Sequence, residues 1–118
     1  DVFGAAGAMS GGVDLRPFPG NWGIANLLGT YAESPENWEN NTVINQTHLL
    51  SPNSLSLIIQ CGSEDFFYKV NEKLHEKLAY NNIPHTFISS PGGHTWEYWA
   101  DAVHYLLMFF NNFFNKKK

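Results

Sequence analysis

An acid and a histidine, Asp65 and His94, stand 29 residues apart (94 minus 65) in positions that suit shared chemistry. Asp65 comes just after an apolar run that stops at Gly62, and His94 follows a Pro-Gly-Gly turn. A carboxylate bonded to an imidazole holds the ring in one tautomer and stabilises the imidazolium formed when the ring takes a proton. The pair therefore suits general base catalysis on a hydroxyl nucleophile.

The elements around this pair predict where its two members lie. Residues 55–59 are apolar without helical spacing, which is typical of a strand buried in a parallel sheet. Apolar residues then recur every four positions over 66–80, which predicts a helix, and a second strand is predicted at 85–89. Because parallel strands end at one edge of the sheet, Asp65 and His94 are expected to face the same crevice.

The stretches CGSEDFFYKVNEKLHEKL, PGGHTWEYW and FGAAGAMSGGVDL resemble the C-terminal part of the putative-esterase family of α/β-hydrolases. That family includes esterase D (S-formylglutathione hydrolase), tributyrin esterases, and feruloyl or acetylxylan esterases. The resemblance implies an α/β fold, the C-terminal portion of an α/β-hydrolase, with parallel strands and flanking helices. It places the triad acid on Asp65 and the triad base on His94, in the chain order serine, acid, histidine.

The resemblance also implies a carboxylic-ester hydrolase that works through a serine acyl-enzyme, on a small-molecule or carbohydrate-linked ester. The family's nucleophile elbow, G-x-S-x-G, is expected upstream of Asp1. Residues 1–118 are therefore interpreted as the C-terminal fragment of a single catalytic domain, inactive on its own. No cofactor is expected.

Other residues compete for these roles. Ser10 sits in a relaxed elbow pattern, A-x-S-x-G, but the glycines and prolines after it disfavour the helix that an elbow needs. We interpret Ser10 as a strand end with a local backbone partner. From the residues alone, Asp65 could equally be a helix cap, and Glu64 is its neighbour. Four other histidines lie on predicted helices or at a strand start: His48, His75, His85 and His104.

Weaker patterns predict the remaining elements. A run of small residues at 2–9 predicts a strand that packs closely beneath a helix. Short helices are predicted at 24–28, after Ser34-Pro35, and at 42–49, capped by Asn41. A long helix at 95–114 is expected to lay one apolar stripe on the sheet, made of Trp96, Trp99, Val103, Leu106, Phe110 and Phe113.

The charge and composition of the chain indicate which kinds of partner to expect. The net charge is −4, and lysines 116–118 form the one basic run, interpreted as a solvated tail, so no nucleic acid is expected. The single cysteine, Cys61, is interpreted as a buried thiol, and no motif predicts a metal site. No apolar run is long enough to span a membrane. We expect a soluble protein, either cytoplasmic or secreted or periplasmic.

The aromatic content is high, with four Trp, five Tyr and nine Phe. Large rings need large surfaces to pack against, so a truncated sheet would leave some exposed and favour self-association. A second interpretation follows from the same rings. The chain could be a non-catalytic carbohydrate-binding or interaction module that uses exposed Trp22, Trp38 and Trp96.

Overall fold

The protein is built around a three-stranded parallel sheet. The structure is a computed structural model that describes residues 2–116. The strands, in spatial and chain order, are β1 (Ala5–Met9), β2 (Ser56–Gln60) and β3 (Thr86–Ile88). In the register, Ile58 of β2 stands beside Gly7 of β1 and Thr86 of β3. The central strand is thus the apolar run that the sequence predicted as a buried parallel strand, and this prediction is confirmed.

Helices cover both faces of the sheet. They are α1 (Ala25–Leu28), α2 (Pro35–Asn40), a 3-10 helix (Val43–Leu49), α3 (Tyr68–Tyr80) and α4 (Trp96–Lys116). The fold class is therefore α/β with parallel strands and flanking helices, as predicted. The order β2, α3, β3 is a strand–helix–strand unit, and the two catalytic candidates lie in the loops that follow its two strands, Asp65 after β2 and His94 after β3.

Alternate residues of β2 face the two helical layers, as the period of a strand requires. Ile59 and the following Cys61 belong to the core against α3, together with Leu74. On the other face α4 packs so closely that a Cβ added at Gly7 would lie 3.1 Å from Leu106. The small residues of β1 thus permit the close helix approach predicted for them.

The predicted apolar stripe of α4 was wrong at its first position. Trp96 is 81% exposed, whereas the residues of α4 buried against the sheet are Tyr98, Ala102 and Leu106. Trp96 is the first residue of α4 and precedes all three of these buried residues. Its ring packs edge-on against Trp99 instead, with 5.2 Å between ring centroids.

Two boundaries also differ from prediction. Helix α3 begins at Tyr68 rather than at residue 66, because residues 65–67 form a turn held by the Asp65 side chain. Asn41 ends α2 instead of capping the 3-10 helix, which follows the extended Thr42. Of the predicted lysine tail, Lys116 is exposed and residues 117–118 lie outside the described residues.

Candidate active site

Two loops meet at the carboxyl edge of the sheet and fix the site. The Ser63 N–H donates to the carbonyl of Ser90, and the Glu64 N–H donates to the carbonyl of Gly92, both at 2.9 Å. These bonds continue the pairing of β2 with β3 beyond the strands. The loop that carries the acid and the loop that leads to the histidine are therefore joined by backbone hydrogen bonds, independently of the Asp65 and His94 side chains.

Two glycines let the loops approach this closely. A Cβ added at Gly62 would lie 2.2 Å from the carbonyl oxygen of Gly92, so no larger residue fits there without movement. Gly92 has φ 138°, in a region that side chains rarely adopt, and its own added Cβ would lie 2.6 Å from the Tyr98 ring. Both positions therefore require glycine.

Asp65 and His94 meet across these loops. The His94 Nδ1–H donates to Asp65 Oδ2 at 2.9 Å. The Asp65 side chain is fully buried, whereas 32% of the His94 side chain is exposed. The acid is thus sheltered from water while the ring still reaches the crevice, and Nε2 of His94 has no hydrogen-bond partner within residues 2–116.

The second oxygen of Asp65 holds the chain just before α3. Oδ1 accepts a hydrogen bond from the Phe67 N–H at 2.8 Å, a side-chain-to-backbone turn of the type that Asp favours. Asp65 therefore acts both as a helix-start residue, through Oδ1, and as the partner of the histidine, through Oδ2. The carboxylate is fixed at both oxygens, so its direction toward the imidazole is set by the backbone.

The start of α4 fixes His94 from the other side. Thr95 Oγ1 accepts a hydrogen bond from the Tyr98 N–H at 3.2 Å, which caps the helix directly after the histidine. The Phe66 ring lies 4.5 Å from the imidazole, and the Trp99 ring meets it edge-on at 4.7 Å, between centroids. Aromatic packing on two sides thus restricts the ring.

Ser10 lies near this site without joining the pair. It is 4% exposed, has φ 57°, and its Oγ accepts a hydrogen bond from Trp99 Nε1 at 2.9 Å. It ends a strand, as predicted, but its side-chain partner is 89 residues away rather than local. No helix follows Ser10 before α1, so it does not sit in a nucleophile elbow.

The remaining acid and histidines lie elsewhere. Glu64 is exposed. His48 and His104 are also exposed, and His48 bonds to the carbonyl of Asn45. His75 and His85 contact each other instead of the crevice. Sequence reasoning missed Phe66 and Trp99 as neighbours of the imidazole, although Phe66 directly follows the acid and Trp99 lies one helical turn after Thr95.

Of the three tryptophans of the binding-module interpretation, one is wrongly assigned. Trp38 is 1% exposed, packs against the Tyr31 ring, and donates its Nε1–H to the carbonyl of Gly29 at 2.9 Å. Trp22 and Trp96 are exposed at 55% and 81%. Trp22 packs on Phe66 and Trp96 packs on Trp99, and each of these two partner rings contacts the His94 imidazole.

Cys61 is a free, fully buried thiol, as predicted. Burial, aided by the nearby Asp65 charge, raises the pKa of the Cys61 thiol to about 11, so the thiolate is scarce near neutral pH. Within the described part of the chain, no group of three or more histidine, cysteine or acidic side chains is placed to hold a metal ion. None of the helices described is long and apolar enough to cross a bilayer.

Among the solved structures similar to this chain are those of three hydrolases. A ferulic acid esterase gives a TM-score of 0.68 at 25% identity, over 92% of this chain and 41% of that one. The fluorophosphonate-binding serine hydrolase FphF of Staphylococcus aureus gives 0.67 at 22%, over 91% and 44%. The S-formylglutathione hydrolase FrmB of Staphylococcus aureus gives 0.62 at 21%, over 91% and 41%.

The chain thus spans less than half the length of each of these structures. No curated protein matches it. The model of the family described as "Putative esterase" matches residues 1–108, nearly the whole sequence. The resemblance noted in the sequence is confirmed, and the chain belongs to the Putative esterase family of α/β-hydrolases.

Proposed function

We propose that this chain carries the acid and the base of a serine carboxylic-ester hydrolase, with Asp65 orienting His94 as the general base. The observation that carries the proposal is the 2.9 Å hydrogen bond from His94 Nδ1 to a fully buried carboxylate oxygen. A carboxylate in this position keeps the imidazole proton on Nδ1. Nε2 is then the atom with a free lone pair, and among residues 2–116 it has no hydrogen-bond partner.

In this mechanism Nε2 of His94 takes the proton of a serine hydroxyl as that oxygen attacks the ester carbonyl. The imidazolium then returns the proton to the departing alcohol, which leaves an acyl-enzyme. A water molecule, deprotonated by the same nitrogen, hydrolyses the acyl-enzyme and frees the serine. Asp65 stabilises the imidazolium at both stages, and its burial strengthens that interaction because little water screens the charge.

The serine is proposed to come from chain that precedes these residues in a larger catalytic domain. Two observations support this proposal. The chain spans 41% to 44% of the first two similar structures, both over more than nine tenths of its own length. An apolar groove of about 400 Å³ also lies along β1, lined by Gly7, Val13, Leu50, Leu57 and Leu74 among others. The earlier part of the domain would cover that groove.

The rings around His94 support an ester substrate with an apolar group. Phe66 is 49% exposed and lies 4.5 Å from the imidazole, and Trp22, which is 55% exposed, lies 5.9 Å from Phe66, between centroids. Trp96 extends the aromatic surface on the far side of Trp99. Exposed rings next to a catalytic base bind the substrate close to the reacting carbonyl, so the same rings serve hydrolysis better than an independent carbohydrate platform.

The decisive experiment compares three variants of the full-length hydrolase. His94→Ala removes the proton acceptor, so kcat should fall by several orders of magnitude with little change in substrate affinity. Asp65→Asn should lower kcat by roughly 10⁴, the loss that the wrong imidazole tautomer causes in a serine protease triad. Glu64→Gln is the matched control and should be mild, because Glu64 is an exposed neighbour. Severe loss in Glu64→Gln with near-normal rates in Asp65→Asn would reassign the acid.

A second experiment uses residues 1–118 alone. We expect no turnover of a short-chain nitrophenyl ester, because the nucleophile and the donors that stabilise the oxyanion are proposed to lie outside this stretch. Ser10→Ala is the informative variant. Turnover by the wild-type chain that this variant abolishes would make Ser10 the nucleophile, against its burial and its bond to Trp99.

A further inference from the structure

A polar cavity lies between α4 and the β3 side of the sheet. Its volume is about 350 Å³, within the range of about 300–1,000 Å³ that is usual for small-ligand sites. It is bounded by the end of β2, by the residues that follow β3 and by one side of α4. Its polar lining residues are Gln60, Ser90, Tyr98, Asp101, His104 and Tyr105.

This cavity is separate from the crevice of His94, because two adjacent residues of α4 point to different sides. The Trp99 ring meets the imidazole at 4.7 Å between centroids. Tyr98 instead lines the cavity, and its ring lies against Gly62 and Gly92. A molecule bound in the cavity would therefore not occupy the proposed catalytic site.

The buried wall of the cavity contains an amide without a partner. Gln60 is the last residue of β2, is 1% exposed, and lies on the same face of the strand as Ile58. Its Oε1 has no hydrogen-bond partner among residues 2–116. Buried polar groups in folded proteins are nearly always hydrogen-bonded, because an unpaired one costs free energy. The amide therefore needs a partner from inside the cavity.

The Tyr98 hydroxyl is a second polar group of the buried wall. It makes no hydrogen bond of good geometry within residues 2–116, although Ser90 lies close to it. Burial raises the pKa of this hydroxyl, and Ser90 opposes the rise. The hydroxyl therefore keeps its proton near neutral pH and can both donate and accept. The titratable Asp101 and His104 are exposed, so the buried wall itself carries no charge.

We propose that this cavity binds a neutral polyhydroxylated molecule of monosaccharide size, with its hydroxyl groups on Gln60 and Tyr98. A charged ligand is disfavoured there, since moving a charge out of water without an opposite charge costs far more than moving a neutral group. Each hydroxyl donates and accepts, which matches an amide and a phenol. The Tyr105 ring, 45% exposed, supplies an apolar face for the C–H groups of the ligand.

Calorimetric titration of the full-length hydrolase with D-glucose, D-galactose and myo-inositol tests the proposal. At least one of these polyols should bind at one site per chain, and D-glucuronate should bind more weakly than D-glucose because it is charged. Gln60→Met keeps the length of the side chain without the amide, and should weaken binding about tenfold, the effect of one lost hydrogen bond.

Two tyrosine variants locate the binding. Tyr105→Ala should weaken it, because the ring lines the cavity. Tyr80→Ala is the matched control, since Tyr80 is an exposed tyrosine of α3 outside the cavity, and it should leave the affinity unchanged. The proposal is overturned if none of the three neutral polyols binds, or if the control loses as much affinity as Tyr105→Ala.

Urea unfolding without polyol separates a binding role of the amide from a role in folding. Gln60→Met should have a midpoint equal to or above that of the wild type, because it removes an unpaired buried amide with little change in volume. A lowered midpoint with unchanged polyol affinity would make the amide structural and defeat the proposal. Tyr105→Ala, at an exposed position, decides the question if Gln60→Met does not fold.

Discussion

Gly62→Ala should disrupt the site by preventing the close approach of the loop after β2 to the loop that leads to His94. The added methyl carbon would lie 2.2 Å from the Gly92 carbonyl oxygen and 2.7 Å from its carbon. Ordinary carbon–oxygen contacts are about 3.3 Å or longer, so one loop must move by about 1 Å. Both atoms belong to the backbone, and no rotation of a side chain can relieve the overlap.

The cost follows from what that movement breaks. The Gly92 carbonyl accepts the Glu64 N–H at 2.9 Å, and a further 1 Å takes this bond beyond hydrogen-bond range. Losing a buried hydrogen bond costs about 1–3 kcal/mol, and forcing extra volume into a packed site costs about 1–3 kcal/mol more. We therefore expect a loss of about 2–6 kcal/mol, a large fraction of the stability of a small domain.

Urea unfolding measures this loss, and Gly20→Ala is the matched control. A Cβ at Gly20 would meet nothing within 4 Å, so that variant should be neutral or slightly stabilising. The ring signals of His94 should also change in Gly62→Ala, because Gly92 lies two residues before the histidine. Equal unfolding midpoints for the two variants, with unaltered His94 signals, would refute this account of the loops.

Three further outcomes are expected. Cys61, fully buried with its thiol pKa raised to about 11, should resist a thiol reagent at neutral pH until urea unfolds the chain; rapid labelling of the folded protein would contradict this. Burial alone would raise the pKa of Asp14, but hydrogen bonds from Arg16 lower it below the ordinary 3.8. A lowered folded pKa gives stability that is present above the unfolded pKa and lost as the pH falls through the folded pKa, so Arg16→Gln should flatten the acid limb of a urea-midpoint profile. Trp99→Phe should cost about 1–3 kcal/mol in urea unfolding, because Ser10 Oγ loses its donor while buried, and an unchanged midpoint would contradict that role.

Local patterns were enough to predict the sheet and its order of elements. Strand β2, helix α3 and strand β3 each have a clear period or a clear boundary, such as Gly62 before the first loop and Pro84 before the last strand. Parallel strands then bring their carboxyl ends together without further information. The meeting of Asp65 and His94 follows from that topology, whereas the roles in hydrolysis that we propose for them rest on the family resemblance.

Packing between distant segments could not be predicted in the same way. Trp38 is buried because Tyr31 and the Gly29 carbonyl enclose it, and no periodic pattern in a six-residue helix indicates which face is covered. Trp96 fits the apolar period of α4, but its side chain is 81% exposed. A period shows which residues share a face, and only the tertiary structure shows how far that face is covered.

The His75–His85 pair was missed for a related reason. The two residues are ten apart and lie on different elements, so no single periodic pattern relates them. Their contact depends on how α3 lies over the sheet as the chain crosses from β2 to β3.

Asp65 shows how a single side chain can satisfy two patterns that sequence analysis treats as alternatives. A carboxylate has two oxygens, and here each oxygen accepts a different hydrogen bond, Oδ1 from the Phe67 N–H and Oδ2 from the His94 ring. The bond to Phe67 removes the freedom of the carboxylate to rotate, so the entropy of orienting the imidazole is lost when the chain folds rather than during a reaction. The helix-start pattern at Asp65 is therefore part of what would make it an effective partner for a catalytic histidine.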